Sequence, residues 1–214
     1  MKVSIIVTVY NREKFIARCL RSCLDQSMNN SDYEIIVVND GSTDNSEQVI
    51  NSFGNQIRKI SYKKNKGLAY ASNAGIKASN SKYVVRIDSD DYVHTDLLKI
   101  EYDFIEMNNC DAVSCDYLIV DLKERVISRE NAVKKPIACG IMFNKDRLID
   151  IGLYDTEFRL MEDIDLRARF EKKFQIQNLE IPLYRYLMHE SNATKNTKNV
   201  DRYTKLFKKK HEKK

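Results

Sequence analysis

Three carboxylates, Asp88, Asp90 and Asp91, fall within four residues of "YVVRIDSDDY" (83–92), directly after a β-branched apolar run. Like charges packed this closely raise one another's pKa unless a cation neutralises them. Carboxylate oxygens are hard ligands that suit Mg2+ or Mn2+, cations usually held by one or two carboxylates together with substrate phosphates. Asp40 closes a second apolar run, "EIIVVND", in the same manner. The chemistry implied is a divalent cation gripping a diphosphate; the competing reading is a solvated acidic turn that caps the helix after it. Neither G-x-G-x-x-G nor G-x-x-x-x-G-K-[ST] occurs, so a glycine-built phosphate cradle is not expected.

The elements that must position these carboxylates follow from periodicity. "VSIIVTV" (3–9) is apolar throughout, as a strand buried on both faces should be. Ile16, Leu20 and Leu24 at helical spacing predict a helix over 12–26. The unit then repeats: a strand at 34–40, a helix at 44–53 capped by Ser42 or Thr43, a strand at 57–64, a small-residue helix at 67–79 and a strand at 82–88. Such alternation requires right-handed crossovers and a mainly parallel sheet between two helical layers, an α/β fold. Ligands of these sheets bind where loops leave the carboxyl ends of the strands. The polar clusters "TVYNRE", "NDGSTDNS", "NKG" and "DSDD" all lie there and should face one crevice.

Beyond Asp91 the pattern predicts a helix at 95–109, strands at 112–121 and 125–128, and a short helix from Asn144 that Gly152 ends. An amphipathic helix at 161–173 and a strand-like segment at 181–189 follow. With only Pro136 and Pro182 and no Ser/Gly-rich linker, one domain is expected over 1–190, made of halves 1–91 and 92–190, followed by a basic tail at 191–214.

At 214 residues and 43% hydrophobic content the chain can bury a substantial core. Its apolar runs fall far short of the roughly 20 residues that cross a bilayer, and Met1-Lys2-Val3 opens a strand rather than a signal peptide. Five cysteines, an odd number without a C-x-x-C pair, read as reduced thiols of a cytoplasmic protein and not as a zinc site. The net charge of +5 is concentrated in "KLFKKKHEKK", which holds six lysines. This tail suits peripheral contact with anionic lipid on the inner face of a membrane, or else a frayed, solvated terminus. No basic patch interleaved with aromatics occurs elsewhere, so nucleic acid is not an expected partner.

"SIIVTVYNRE", "EIIVVNDGSTDNS", "NKGLAYASNAGIKAS", "YVVRIDSDDY" and "MEDIDLRAR", in this order and at these distances, resemble family 2 glycosyltransferases of the GT-A fold over about residues 2–190. The resemblance implies a three-layer α/β/α domain that moves a sugar from a nucleoside diphosphate donor, expected to be UDP-linked, to a hydroxyl of a saccharide or lipid-linked acceptor, with inversion. It implies that Thr8, Tyr10, Asn11 and Glu13 hold the nucleoside, that Asp40 contacts its uracil or ribose side, and that Lys66 and Gly67 lie beside the nucleotide. Asp88 would face the ribose and metal waters, its neighbour Ser89 would bind the nucleotide, and Asp90 would ligate Mn2+ or Mg2+ directly. The E-D pair would supply the base at Asp163, with Glu162 the alternative. His189 resembles a position that in some relatives completes the metal or diphosphate site, and is otherwise structural. Bland readings stand beside these: Thr8 as strand filler, Asn11 as a helix cap, Lys66 as a solvated turn, Asp163 as a cap. Asp165, Arg167 and Arg169 are expected to anchor their helix by ion pairs, and Arg185 to bind phosphate or pair with Glu180. Two other classes share features of this sequence. A sugar-1-phosphate nucleotidyltransferase should carry a glycine-rich, arginine-containing loop where "VYNREK" stands, and a non-catalytic nucleotide- or carbohydrate-binding protein would not need both Asp90 and Asp163.

Overall fold

Every residue of β1 (Val3–Val9) is buried, which is why its run is apolar rather than alternating. β2 (Tyr33–Asp40), β3 (Arg58–Tyr62) and β4 (Tyr83–Asp88) join it in parallel, in the order β3-β2-β1-β4. The crossovers are α1 (Ile16–Leu24), α2 (Ser46–Asn51) and α3 (Leu68–Ala78). This architecture comes from a computed structural model that describes residues 1–190, 192 and 197–211. Alternate residues of β1 feed different layers, as strand geometry requires. Ile5 and Val7 pack with Ile16, Leu20 and Leu97 on one face, while Ile6 packs with Ile76, Leu166 and Phe170 on the other.

The second half adds β5 (Tyr92–Val93), α4 (Leu97–Asn108), β6 (Ala112–Val120), β7 (Val126–Glu130), β8 (Ile141–Asn144), α5 (Lys145–Asp150), α6 (Glu162–Phe170), β9 (Ile176–Leu187) and α7 (Thr197–His211). The sheet continues as β4-β8-β6-β9-β5, with β7 paired to β6. β8 runs antiparallel to β4 and so joins the two halves into one sheet. The parallel strands thus lie in the first half, apart from the β6–β9 pair.

Four local expectations are corrected. The helix expected from residue 12 starts at Ile16, because Asn11, Arg12 and Glu13 are tied sideways to the loop after β2. Ser42 and Thr43 do not cap α2: the Ser42 hydroxyl accepts from the Asn11 amide (3.1 Å), and the Thr43 amide donates to Asn11 Oδ1 (2.8 Å). β8 was not expected, being four residues long in "GIMFN" and so too short for a period. The basic tail, for which a frayed, solvated terminus is one expectation, instead forms α7 over Thr197–His211, which docks on the domain. Lys210 Nζ lies 2.5 Å from Asp155 and 2.7 Å from Asp165, and His211 Nε2 lies 2.8 Å from Asp165. Asp165 is fully buried, and a buried carboxylate is tolerated only with such partners. Among the described residues, no helix is long and apolar enough to cross a membrane.

Candidate active site

The loops after β1 and β2 are laced into one wall of the crevice. The Arg12 amide donates to Ser46 Oγ (2.8 Å), the Glu13 amide to Asp44 Oδ2 (3.1 Å), and Glu13 Oε2 accepts from the Asn45 amide (2.9 Å) and side chain (3.0 Å). Asn11 takes a left-handed backbone, φ 52°, which asparagine tolerates better than most residues. Tyr10 remains 44% exposed at the rim, an aromatic face open to a ligand. Asp40 is buried and accepts from the Lys66 amide (2.9 Å) and the Gly67 amide (2.8 Å), fixing the turn that enters α3. Gly67 has φ 101°, a conformation that a side chain would strain. Lys66 Nζ stands 4.5 and 4.4 Å from the Tyr62 and Tyr70 ring centroids and donates to the Tyr70 hydroxyl at 3.1 Å.

The acidic turn after β4 divides its labour. Asp91 is fully buried, accepts from the Tyr184 hydroxyl (2.7 Å) and the Leu187 amide (2.8 Å), and so ties the turn to β9. Burial, with the charges of Asp90 and Asp88, pushes its carboxyl well above the ordinary range. Asp90 Oδ2 meets Arg12 Nε (3.1 Å) and His189 Nε2 (3.0 Å). His189 itself is buried and stacks on Phe15, ring centroids 4.8 Å apart. Asp88 sits beside Thr8 across the β1–β4 ladder, accepts from the Cys139 thiol (2.9 Å) and faces Arg86 Nε at 3.4 Å. Its Oδ1 is buried and makes no hydrogen bond. Ser89 is buried within the turn.

Two groupings of these residues could hold a cation. Ligand atoms of Asp88, Asp91 and Cys139 lie within 4.8 Å of one another. Burial keeps the Cys139 thiol protonated, however, and Asp91 is committed to β9, so this trio reads as an internal hydrogen-bonded knot. Asp90, whose Oδ2 meets His189 Nε2 at 3.0 Å, offers the hard carboxylate oxygen that suits Mn2+ or Mg2+, with the imidazole as a further nitrogen donor.

Across the crevice, α6 begins with Glu162 and Asp163. Glu162 is buried and meets Arg86 Nη1 at 3.1 Å. Asp163 is less buried, its carboxylate set among the helix-start amides, and makes no ion pair among the described contacts. Burial raises both carboxyls from the ordinary range, opposed by the Arg86 charge. A raised carboxylate is better matched to taking a proton near neutral pH. Met161, just before them, has φ 65°; strain of this kind costs about 1–3 kcal/mol and concentrates at functional turns. Arg169 pairs with Asp165 (2.7 Å) and Arg167 with Glu171 (2.8 Å), as anchors of α6. Arg185 donates to the Pro182 carbonyl (2.6 Å).

Sequence reasoning gave no role to Arg86, Arg12 or Cys139. Arg86 carried a readable signal, since it is a charged residue inside a buried strand, two positions before Asp88 and therefore on the same face. Cys139 carried none, because its proximity to Asp88 depends on how the 131–140 loop returns to the sheet.

The sequence profile described as Glycosyl transferase family 2 matches residues 4–168. An uncharacterized glycosyltransferase of Rickettsia prowazekii is 30% identical over 227 residues, covering 96% of this chain and 70% of that protein. The poly(ribitol-phosphate) beta-N-acetylglucosaminyltransferase TarP of Staphylococcus aureus is 37% identical over 119 residues, covering 54% of this chain and 36% of that protein. Among solved structures, S. aureus TarS 1–349 in complex with UDP-GlcNAc superposes with a TM-score of 0.80 at 23% identity, over 92% of this chain and 61% of that one. The chain thus spans about a third of the length of TarP and under two thirds of the TarS fragment.

Proposed function

Because the chain belongs to glycosyl transferase family 2, and is on that ground a glycosyltransferase, we propose that it moves a sugar with inversion from a UDP-linked donor to a saccharide or lipid-linked acceptor in polysaccharide or glycolipid assembly. The observation that carries this reading is the chain of contacts Asp88–Arg86–Glu162, which brings the acidic turn after β4 close to the Glu162–Asp163 helix start. The nucleotidyltransferase and non-catalytic readings give way to the family match.

Thr8, Tyr10, Asn11, Glu13, Asp40, Lys66, Gly67, Asp88 and Ser89 form the nucleotide wall in this reading. Asp90 and His189 would hold Mn2+ or Mg2+, which when bound offsets charge on the leaving diphosphate. Asp163 accepts the acceptor hydroxyl's proton as that oxygen attacks the anomeric carbon from the face opposite the diphosphate. Asp163 is preferred to Glu162 because the Glu162 carboxylate is already committed to Arg86. General-base assistance of this kind contributes about 10²–10⁴-fold. The exposed basic residues of α7, Arg202, Lys205, Lys208 and Lys209, are the surface that would meet anionic headgroups on the inner face of a membrane.

The shared fold with a protein solved with UDP-GlcNAc makes UDP the first nucleotide to test, and the likeness in fold to a mannosyltransferase from Pyrobaculum calidifontis in complex with GDP-Man and Mn2+, TM-score 0.72 at 15% identity, makes GDP the comparator. Thermal shift with UDP, UDP-GlcNAc, GDP and GDP-mannose, each with and without Mn2+, tests the donor. At a 100-fold excess over Kd, UDP with Mn2+ should raise Tm by about 5–10 °C. Stabilisation by GDP alone, or none by any nucleotide, overturns the UDP assignment.

A further inference from the structure

Arg86 is an arginine in the interior of the sheet, and both ends of its side chain are near the crevice. Strand alternation puts it on the same face as Asp88. Its Nη1 reaches Glu162 Oε1 at 3.1 Å, its Nε lies 3.4 Å from Asp88 Oδ1, and its guanidinium lies over the Tyr154 ring, 5.3 Å from the centroid. Arg86 and Glu162 are buried, 6% and 3% exposed. The two contacts are unequal. The Glu162 contact is a formed hydrogen bond, whereas Arg86 Nε and Asp88 Oδ1 are each buried without one. A buried donor and a buried acceptor facing each other unsatisfied are costly to keep, and any ligand that turns the Asp88 carboxylate changes that contact along with the Cys139 bond to Oδ2.

A second observation points the same way. The Arg86 carbonyl accepts from the Gly140 amide at 2.9 Å. Gly140 has φ 66°, and a Cβ there would stand 2.7 Å from the Tyr184 ring, the side chain that holds Asp91. The backbone of Arg86 is thus held by Gly140, next to the Tyr184 ring that ties down Asp91, and its side chain by Glu162 at the start of α6.

We propose that Arg86 is a positioning residue that links the carboxylate turn of the donor half to the start of α6, so that nucleotide bound at Asp88 orders Asp163. The proposal rests on the donor and base assignments above and adds to them a route between the two sites. It does not require Arg86 to touch the substrate.

The test replaces the pair together, Arg86→Met with Glu162→Met, because a buried ion pair exchanged for apolar side chains of similar length commonly keeps its stability, whereas removing one partner does not. Hydrogen exchange of the 160–170 segment is followed in the parent and the double variant, with and without UDP and Mn2+, alongside UDP affinity by calorimetry. In the parent, nucleotide should slow exchange of the first α6 amides by about 10-fold, within the usual range of coupling between sites. In the double variant, with Tm and UDP affinity near the parent's, the slowing should vanish and transfer should fall by about 10²-fold, the cost of a misplaced group. Equal slowing in both proteins, or no slowing in the parent, overturns the proposal. Should the double variant fail to fold, Arg86→Lys serves in its place, since it keeps the charge and loses the second arm; it too should lose the slowing, and retained slowing overturns the proposal. Absence of UDP binding by the parent is a different outcome, which removes the donor reading and the coupling with it.

Discussion

Glu101 lies in the middle of α4, fully buried, and neither carboxylate oxygen has a hydrogen-bond partner. The Cys115 thiol is nearby but donates to the Gly140 carbonyl at 3.7 Å. Burial pushes the Glu101 carboxyl well above its ordinary value, so the folded protein keeps a proton there that the unfolded chain releases. The sign follows: the stability contributed by that proton is complete below the unfolded pKa of about 4.3 and is lost progressively as pH rises through the folded value. Glu101→Leu removes both the unsatisfied acceptors and the titration. An unsatisfied buried group costs about 1–3 kcal/mol, and a chain of this size shifts by about 2–4 °C per kcal/mol, so the variant should melt about 2–12 °C above the parent at pH 8. At pH 5 the gap should be smaller, because the parent is then more fully protonated. Scanning calorimetry at the two pH values measures the gap. A gap that is constant with pH, or a variant less stable than the parent at pH 8, refutes the reasoning.

Two further outcomes follow from the packing and the acidic turn. Gly75 in α3 faces β1, and a Cβ there would stand 2.4 Å from Ile6 Cγ2; Gly75→Ala should cost about 1–3 kcal/mol by overpacking, read by urea denaturation, and unchanged stability would contradict the close approach. Asp90→Asn should lose about 10-fold or more of Mn2+-dependent UDP affinity, since one pKa-unit-sized interaction is already tenfold, while the apo protein stays folded because a like charge beside Asp88 and Asp91 is removed; calorimetry with unchanged UDP affinity would remove the metal assignment.

The first half of the fold was legible because buried parallel strands write continuous apolar runs, and "VSIIVTV" and "EIIVVND" coincide with β1 and with all but the first residue of β2. Their carboxyl ends carried the polar clusters, so the crevice wall could be read from order alone. The second half was less legible, for reasons that differ by element. β8 is too short to show a period, and its register is set by β4 and β6 on either side. α7 reads as a lysine run because its anchors, Asp155 and Asp165, lie 45 or more residues away in sequence. The division of roles in "DSDD" was only partly visible. That Asp91 is spent on Tyr184 while Asp90 meets His189 depends on where β9 returns. Glu162 and Asp163 were both visible as base candidates, but the choice between them turns on Arg86, whose partner across the crevice no local pattern reveals.

The central claim is that Asp163 takes the acceptor's proton in a crevice whose donor wall is independent of it. Single-turnover transfer, or UDP release from the donor where the acceptor is still to be identified, measured with donor affinity on the same samples, tests it most directly. Asp163→Asn should bind the UDP-sugar as the parent does and transfer it about 10²-fold or more slowly, the range expected for a lost general base. Transfer near the parent's rate by Asp163→Asn, with donor affinity intact, would contradict the account.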